Sequence, residues 1–149
     1  GLKNTFGGNI KKAVKAYYQQ INEMINTQDF QIIGHLDKIK MHNKGRYFET
    51  GEPWYQDLLN ESLALIREKN IIVEVNTRGI YKRRSDSLFP GIDVLEKIRE
   101  MKIPITISSD AHKPADLSAY FAETIKILKN LGFQSVKCFR KDQWTERAL

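Results

Sequence analysis

The chain has 149 residues, enough for one domain with a real core, and its 41% hydrophobic and 28% charged residues are ordinary for a soluble globular protein. The single cysteine, Cys138, excludes an internal disulfide framework and fits a reducing cytosol, and no apolar run approaches the roughly 20 residues of a membrane span. The net charge of +6 is spread along the chain apart from Lys82-Arg83-Arg84; it favours anionic ligands such as phosphate esters, nucleotides or nucleic acid, or else marks a solvated basic surface.

No signal peptide is visible. The chain opens Gly1-Leu2-Lys3-Asn4 without a Met, like the interior of a longer gene product or a trimmed chain. Ile10, Val14, Tyr17, Ile21 and Met24 then recur at steps of three and four, which predicts a helix over 9–25 capped by Asn9. Phe30-Gln31-Ile32-Ile33 reads as a short buried strand ending at Gly34-His35-Leu36-Asp37. Residues 38–51 lack periodicity and read as a long loop with at most one helical turn; loops of that length are often functional lids. His42, inside it, reads as a surface residue.

Pro53 opens the next helix, with Leu58, Leu59, Leu63, Leu65 and Ile66 on its buried side and Asn70 beyond its end. Ile71-Ile72-Val73-Glu74-Val75-Asn76 is a strand by its β-branched run. A second long loop, 77–90, carries the basic triplet. Ile92, Leu95, Ile98 and Met101 mark a helix over 91–102, followed by a strand over 103–108. Pro114-Ala115-Asp116-Leu117 should open a helix with the stripe Leu117, Phe121, Ile125 and Leu128, capped by Gly132. The last strand covers 133–139 and buries Cys138; 140–149 reads as a tail, with Trp144 packed back on the body.

The order α-β-α-β-α-β-α-β predicts parallel β/α units. No repeat, low-complexity segment or internal domain boundary is visible. In a parallel array every strand C-terminus lies on one face, where ligands bind. That face should receive His35, Asn76, Asp110 and His112. An anionic oxygen and imidazole nitrogens suit a divalent cation such as Zn, Mn or Fe. Alternatively, Asp110 caps the next helix and His112 is a surface residue. Asn76 would bind substrate or satisfy loop amides. Lys82 and Arg83 would grip a phosphate or remain solvated. Glu74 shares a strand face with Asn76 and, being buried, needs a partner.

Three stretches together are familiar. Ile33-Gly34-His35-Leu36-Asp37, Glu74-Val75-Asn76-Thr77 and Ser108-Ser109-Asp110-Ala111-His112 resemble motifs of the polymerase-and-histidinol-phosphatase (PHP) superfamily. The Glu-Val-Asn-Thr-x-Gly pattern before a basic loop, Phe89-Pro90, and Asp110-Ala111-His112 before a Pro and a helix resemble its histidinol-phosphatase branch. The resemblance implies a distorted seven-stranded, TIM-like β/α barrel with a two- or three-metal centre that hydrolyses a phosphate monoester. It makes His35, Asp110 and His112 metal ligands and leaves the catalytic residues unassigned. That family begins with a His-x-His motif, which is absent among the three histidines of this chain. Residues 1–149 therefore resemble the C-terminal portion of a PHP phosphoesterase domain, a partial barrel of four parallel strands.

The expectation is a cytoplasmic histidinol-phosphate phosphatase of histidine biosynthesis, this part being inactive alone. Its partners would be a small phosphorylated substrate and either a second copy or the missing N-terminal half, with no membrane. A related phosphoesterase acting on nucleotides or nucleic-acid ends suits the charge, but no aromatic-basic stripe for nucleic acid is present. The remaining alternative is a non-catalytic half-barrel assembly module.

Overall fold

The computed structural model describes residues 6–43 and 45–149, with the His42 side chain outside that description, so its expected surface role has no counterpart below. The described elements are α1 (Ile10–Thr27), β1 (Ile32–Ile33), a 3-10 turn (Lys38–His42), α2 (Pro53–Glu68), β2 (Ile72–Asn76) and α3 (Arg78–Tyr81). There follow α4 (Ile92–Glu100), β3 (Ile105–Ser108), a second 3-10 turn (Pro114–Asp116), α5 (Phe121–Asn130), β4 (Ser135–Arg140) and β5 (Gln143–Ala148). They form two compact units. One holds α1 and α2; the other holds all five strands with α3, α4 and α5. No helix among the described residues is long and apolar enough to cross a membrane.

In the first unit the Asn9 side chain accepts from Lys12 N at 3.0 Å, the expected cap of α1. The buried stripe is Val14, Tyr18 and Ile25, so Tyr18 takes the place expected for Tyr17, and Met24 is exposed. Pro53 stands in the first turn of α2, where a missing N–H costs nothing. Leu59, Leu63 and Ile66 are fully buried, each worth about 1.5–3 kcal/mol of transfer free energy. Tyr18 and Tyr55 meet edge to face with centroids 5.8 Å apart, and their hydroxyls hydrogen-bond at 3.1 Å. The ring is thus buried without stranding its polar tip.

In the second unit β1, β2 and β3 form a parallel sheet in that order. The register pairs Ile33 with Val73, Val73 with Ile105, and Asn76 with Ser108. Strand β2 lies in the middle, and Val73 and Val75 are fully buried, which is why its sequence is a near-continuous apolar run. Helix α4 buries Val94, Leu95 and Ile98, and its first turn is tied down by Gly91 N donating to Asp37 Oδ2 at 2.9 Å.

Three expectations are corrected. The fourth strand is not parallel to the others. β4 pairs antiparallel with β5 in a separate two-stranded sheet, and the expected tail is this second strand. Lys141 and Asp142 turn the chain with φ of 48° and 61°, the two successive positive values of a tight primed hairpin turn. Neither is a glycine or an asparagine, so the usual turn signal was missing. The second correction concerns Leu117, which is 67% exposed rather than part of a stripe. Tyr120, at φ 65°, separates the Pro114 turn from α5, which starts only at Phe121. Gly132 does end α5, at φ 89°. Cys138 is half-buried, not fully buried. Trp144 packs as expected: its indole N–H donates to Gln31 Oε1 at 2.8 Å.

The hairpin also carries a coupled acid. The Ser135 hydroxyl donates to Glu146, and Lys137 lies 3.8 Å away, so the carboxyl is held below its ordinary pKa, chiefly by the serine. This contribution is present above the unfolded-state value and is lost as pH falls through the folded one. The hairpin should therefore loosen in acid, and Ser135→Ala should reduce that acid slope in pH-dependent denaturation. Lys141→Asn with Asp142→Gly should stabilise the chain by about 1 kcal/mol by relieving left-handed side-chain strain, read as a higher denaturation midpoint. A lower midpoint would contradict the hairpin turn.

Candidate functional site

Parallel pairing sends β1, β2 and β3 out at one edge of the sheet. Past that edge β1 delivers Gly34-His35, β2 delivers Asn76-Thr77-Arg78, and β3 delivers Asp110-Ala111-His112. The two loops are braced. Tyr81 Oη donates to Ser109 O at 2.8 Å, Thr77 Oγ1 to Ala119 O at 2.8 Å, and Ser109 Oγ to Leu117 O at 2.9 Å. Asp110 N donates to Ser108 Oγ at 3.1 Å.

The expected residues do converge. His35 Nε2 lies 3.7 Å from Asp110 Oδ2, and its Nδ1 lies 3.9 Å from Glu74 Oε2. The buried Asn76 amide joins them. Its oxygen accepts from Arg78 N at 2.9 Å, which fixes the amide's orientation. Its nitrogen then donates to Glu74 Oε2 at 3.3 Å and faces His35 Nε2 at 3.4 Å. Glu74 is half-buried rather than buried, and its partners are Asn76 and His35. Gly34 makes room for this carboxylate: a Cβ there would stand 2.8 Å from Glu74 Oε2.

The residue missed by sequence reasoning is Arg78. Its Nε is 3.7 Å from Asp110 Oδ2, and its Nη1 touches both the Asp110 carbonyl oxygen and His112 Nδ1. It is the x of the Glu-Val-Asn-Thr-x-Gly stretch. The available signal was position: a cation two residues past the last residue of a central parallel strand. Lys82 and Arg83 are placed differently. Lys82 Nζ pairs with Asp116 Oδ2 at 2.7 Å, and Arg83 is exposed. Neither makes a hydrogen bond or ion pair with the His35–Asp110 group.

As arranged, these side chains do not suit a divalent cation. His35 Nε2 faces the Asn76 amide nitrogen, and His112 Nδ1 lies against the Arg78 guanidinium and the Asp110 carbonyl oxygen. Arg78 also takes one face of Asp110. Among the described residues, no group of three or more His, Cys, Asp or Glu is arranged to hold a metal ion. What the arrangement offers is a carboxylate, two imidazoles and a donor-rich cation at a partly exposed rim. His112 is 65% exposed, and Asp110 30%.

No protein-family model matches the chain. It is 27% identical over 120 residues to a protein of Deinococcus radiodurans named "Probable histidinol-phosphatase", covering 80% of this chain and 43% of that one. A "Probable histidinol-phosphatase" of Clostridium acetobutylicum is 22% identical over 129 residues, 85% of this chain and 49% of the other. A "Probable phosphatase" of Thermoanaerobacter sp. (strain X514) is 29% identical over 82 residues, 55% and 33% of the two chains. The chain thus spans less than half the length of these relatives. The fold is similar to a crystal structure from Listeria monocytogenes described as a candidate histidinol phosphatase, with TM-score 0.68 and 18% identity over 76% of this chain and 44% of that one. The shared fold is a mixed α/β arrangement around the parallel three-stranded sheet.

Gly34→Ala tests the site's inner wall. The displaced atom is the end of a flexible side chain, so stability should fall by about 1 kcal/mol or less. Glu74 must still move, and the His35 ring resonances should shift. Unchanged His35 resonances would contradict the close approach of Gly34 and Glu74.

Proposed function

We propose that the chain belongs to a phosphate-monoester hydrolase of the PHP type, acting on histidinol phosphate or a close analogue, and supplies the C-terminal portion of its active-site domain. The reading rests above all on one observation: His35, Asn76, Arg78, Asp110 and His112, delivered by three successive strands, meet at the C-terminal edge of a parallel sheet. The names of the similar proteins support it. The remainder of the domain, or a second copy of the chain, would be its partner, and a cytoplasmic setting fits the reading.

Each residue has a part that its contacts suit. Asp110, oriented by Ser108 and facing His35, is placed to accept a proton from a water. His112 stands at the exposed rim beside Arg78 and Asp110, where a ring N–H would donate to a phosphate oxygen. Arg78 brings the positive charge that an anionic ester needs. Asn76, 1% exposed, positions Arg78, Glu74 and His35. Lys82 and Arg83 are the outer cations that would draw the phosphate in. The reading carries a divalent cation (Zn, Mn or Fe) with His35, Asp110 and His112 as its ligands, which would supply charge neutralisation at the phosphate; in the present arrangement those side chains face Asn76 and Arg78 instead.

The test is phosphate release from histidinol phosphate, compared with a 5′-phosphorylated single-stranded oligonucleotide, by the natural protein that contains this chain. Histidinol phosphate should be turned over faster. Asp110→Ala and His112→Ala should each lower kcat by roughly 100-fold or more. Lys82→Ala with Arg83→Ala should raise KM with little change in kcat. Preference for the oligonucleotide would replace this reading with the nucleic-acid-end one, and full activity of Asp110→Ala would end it.

A further inference from the structure

The stretch Gly34-His35-Leu36-Asp37 ends on a carboxylate that the site does not use. Asp37 is fully buried, as is Leu36 beside it. Burying a carboxylate is costly unless it is hydrogen-bonded, so its place needs a reason. The reason stands 54 positions later in the chain, where Gly91 N donates to Asp37 Oδ2 at 2.9 Å. Gly91 is the N-cap of α4 and has no side chain with which to satisfy the first N–H groups of that helix. Asp37 supplies the missing cap from outside, at the end of the helix that favours an anion.

This bond bears on the site through His35, two residues away. His35 has a φ of 57°, and its carbonyl oxygen accepts from Lys38 N at 3.0 Å, closing a turn with Asp37 at its third position. Before the turn, Ile33 is tied into the sheet opposite Val73; within it, Asp37 is tied to α4. A left-handed histidine persists only where its surroundings over-determine it, and these two anchors bracket it. The second anchor is itself fixed to the site. Asn76 N donates to Phe89 O at 2.7 Å and Phe89 N donates back at 3.2 Å, two residues before Gly91. The Asn76 amide nitrogen in turn faces His35 Nε2 at 3.4 Å. The contacts thus close a ring through His35, Asn76, Phe89, Gly91 and Asp37.

We propose that Asp37 is a positioning residue for His35: its buried carboxylate, docked on the Gly91 N–H at the start of α4, holds the left-handed His35 opposite Asn76 and Asp110. Without that acceptor the turn loses its tie to α4, and His35 relaxes toward ordinary backbone angles. The His35 ring then leaves Asp110 Oδ2, which it faces at 3.7 Å. The consequence for turnover rests on the hydrolase reading above, in which Asp110 accepts the proton; the consequence for His35 does not. Because Asp37 acts on neither Arg78 nor His112 directly, its loss should fall on kcat and spare KM.

The experiment uses the natural protein that contains this chain, labelled with ¹³C and ¹⁵N. A correlation across the hydrogen bond, from Gly91 N to the Asp37 carboxyl carbon, should be present in the wild type. Asp37→Leu is of similar size and has no acceptor; Asp37→Asn keeps one. Asp37→Leu should displace the His35 ring resonances and lower kcat for histidinol phosphate by at least about tenfold, with KM within about twofold. Asp37→Asn should bring the His35 resonances back toward the wild type and recover most of kcat. Ile98→Val, in the buried face of the same helix, controls for simple loss of stability and should leave the His35 resonances in place. Absence of the Gly91–Asp37 correlation in the wild type overturns the proposal without recourse to any variant, so a poorly folded Asp37→Leu cannot protect it. His35 resonances that stay in place in either Asp37 variant once the correlation is lost also overturn it, as does an equal displacement in Ile98→Val. No phosphate release by the wild-type protein overturns the hydrolase reading alone, and the His35 resonances still decide the part of Asp37.

Discussion

One buried amide holds the strand-end face together. Asn76 stands at the last position of the central strand, 1% exposed, and both ends of its side chain are committed. Its oxygen takes the Arg78 N–H and so starts α3 in a fixed direction. Its nitrogen serves Glu74 and His35. Its main chain is committed too: Asn76 N donates to Phe89 O at 2.7 Å, and Phe89 N donates back at 3.2 Å. The returning end of the long loop is thereby pinned to the strand that begins it. An amide of opposite orientation would leave the Arg78 N–H facing a donor, so one hydrogen bond sets the polarity of the whole cluster.

The electrostatics follow from which cations are already engaged. Charge density in the basic triplet is visible in sequence, and the pairing of its members is not. Lys82 is paired with Asp116, an ion pair that ties α3 to the turn after His112. Arg83 points outward from the end of α3. The cation that reaches the carboxylate is the isolated Arg78, with a side chain 18% exposed. An interior-facing arginine with two neutral acceptors and one carboxylate is well suited to that place, since its fork serves several acceptors at once and it does not lose its charge.

How much of this was legible in the sequence depended on range. The central strands announce themselves locally: Ile71 to Val75 and Ile103 to Ile107 are β-branched runs, and their ends place Asn76 and Asp110 correctly. Helical stripes were legible to within one face, with Tyr18 replacing Tyr17 as the buried ring. The hairpin was not legible, because its turn uses Lys141 and Asp142 where glycine or asparagine would have signalled it. Nor was its direction, since strand alternation in sequence says nothing about a strand whose partner is its immediate neighbour. Arg78 was hidden for a related reason. Its role comes from its distance to Asp110 and His112, which are more than thirty positions away along the chain.

Backbone strain singles out the same residues by an independent route. Eight described residues other than glycine have positive φ. Asn70, Arg83 and Lys102 directly follow the C-caps of α2, α3 and α4, where a left-handed residue satisfies the last carbonyls. Tyr120 caps α5, and Lys141 with Asp142 makes the hairpin. That leaves His35, at 57°, and Asp110, at 48°. Neither ends a helix or turns a hairpin. Each follows a parallel strand, and each costs on the order of 1 kcal/mol that a glycine would not. A glycine in either place would relax the backbone and lose the side chain. The chain keeps a His and an Asp in strained positions whose side chains then lie 3.7 Å apart. His35 also opens a turn, with Lys38 N donating to its carbonyl at 3.0 Å, and in proteins generally such left-handed polar residues cluster at active sites, ligand clamps and switch regions.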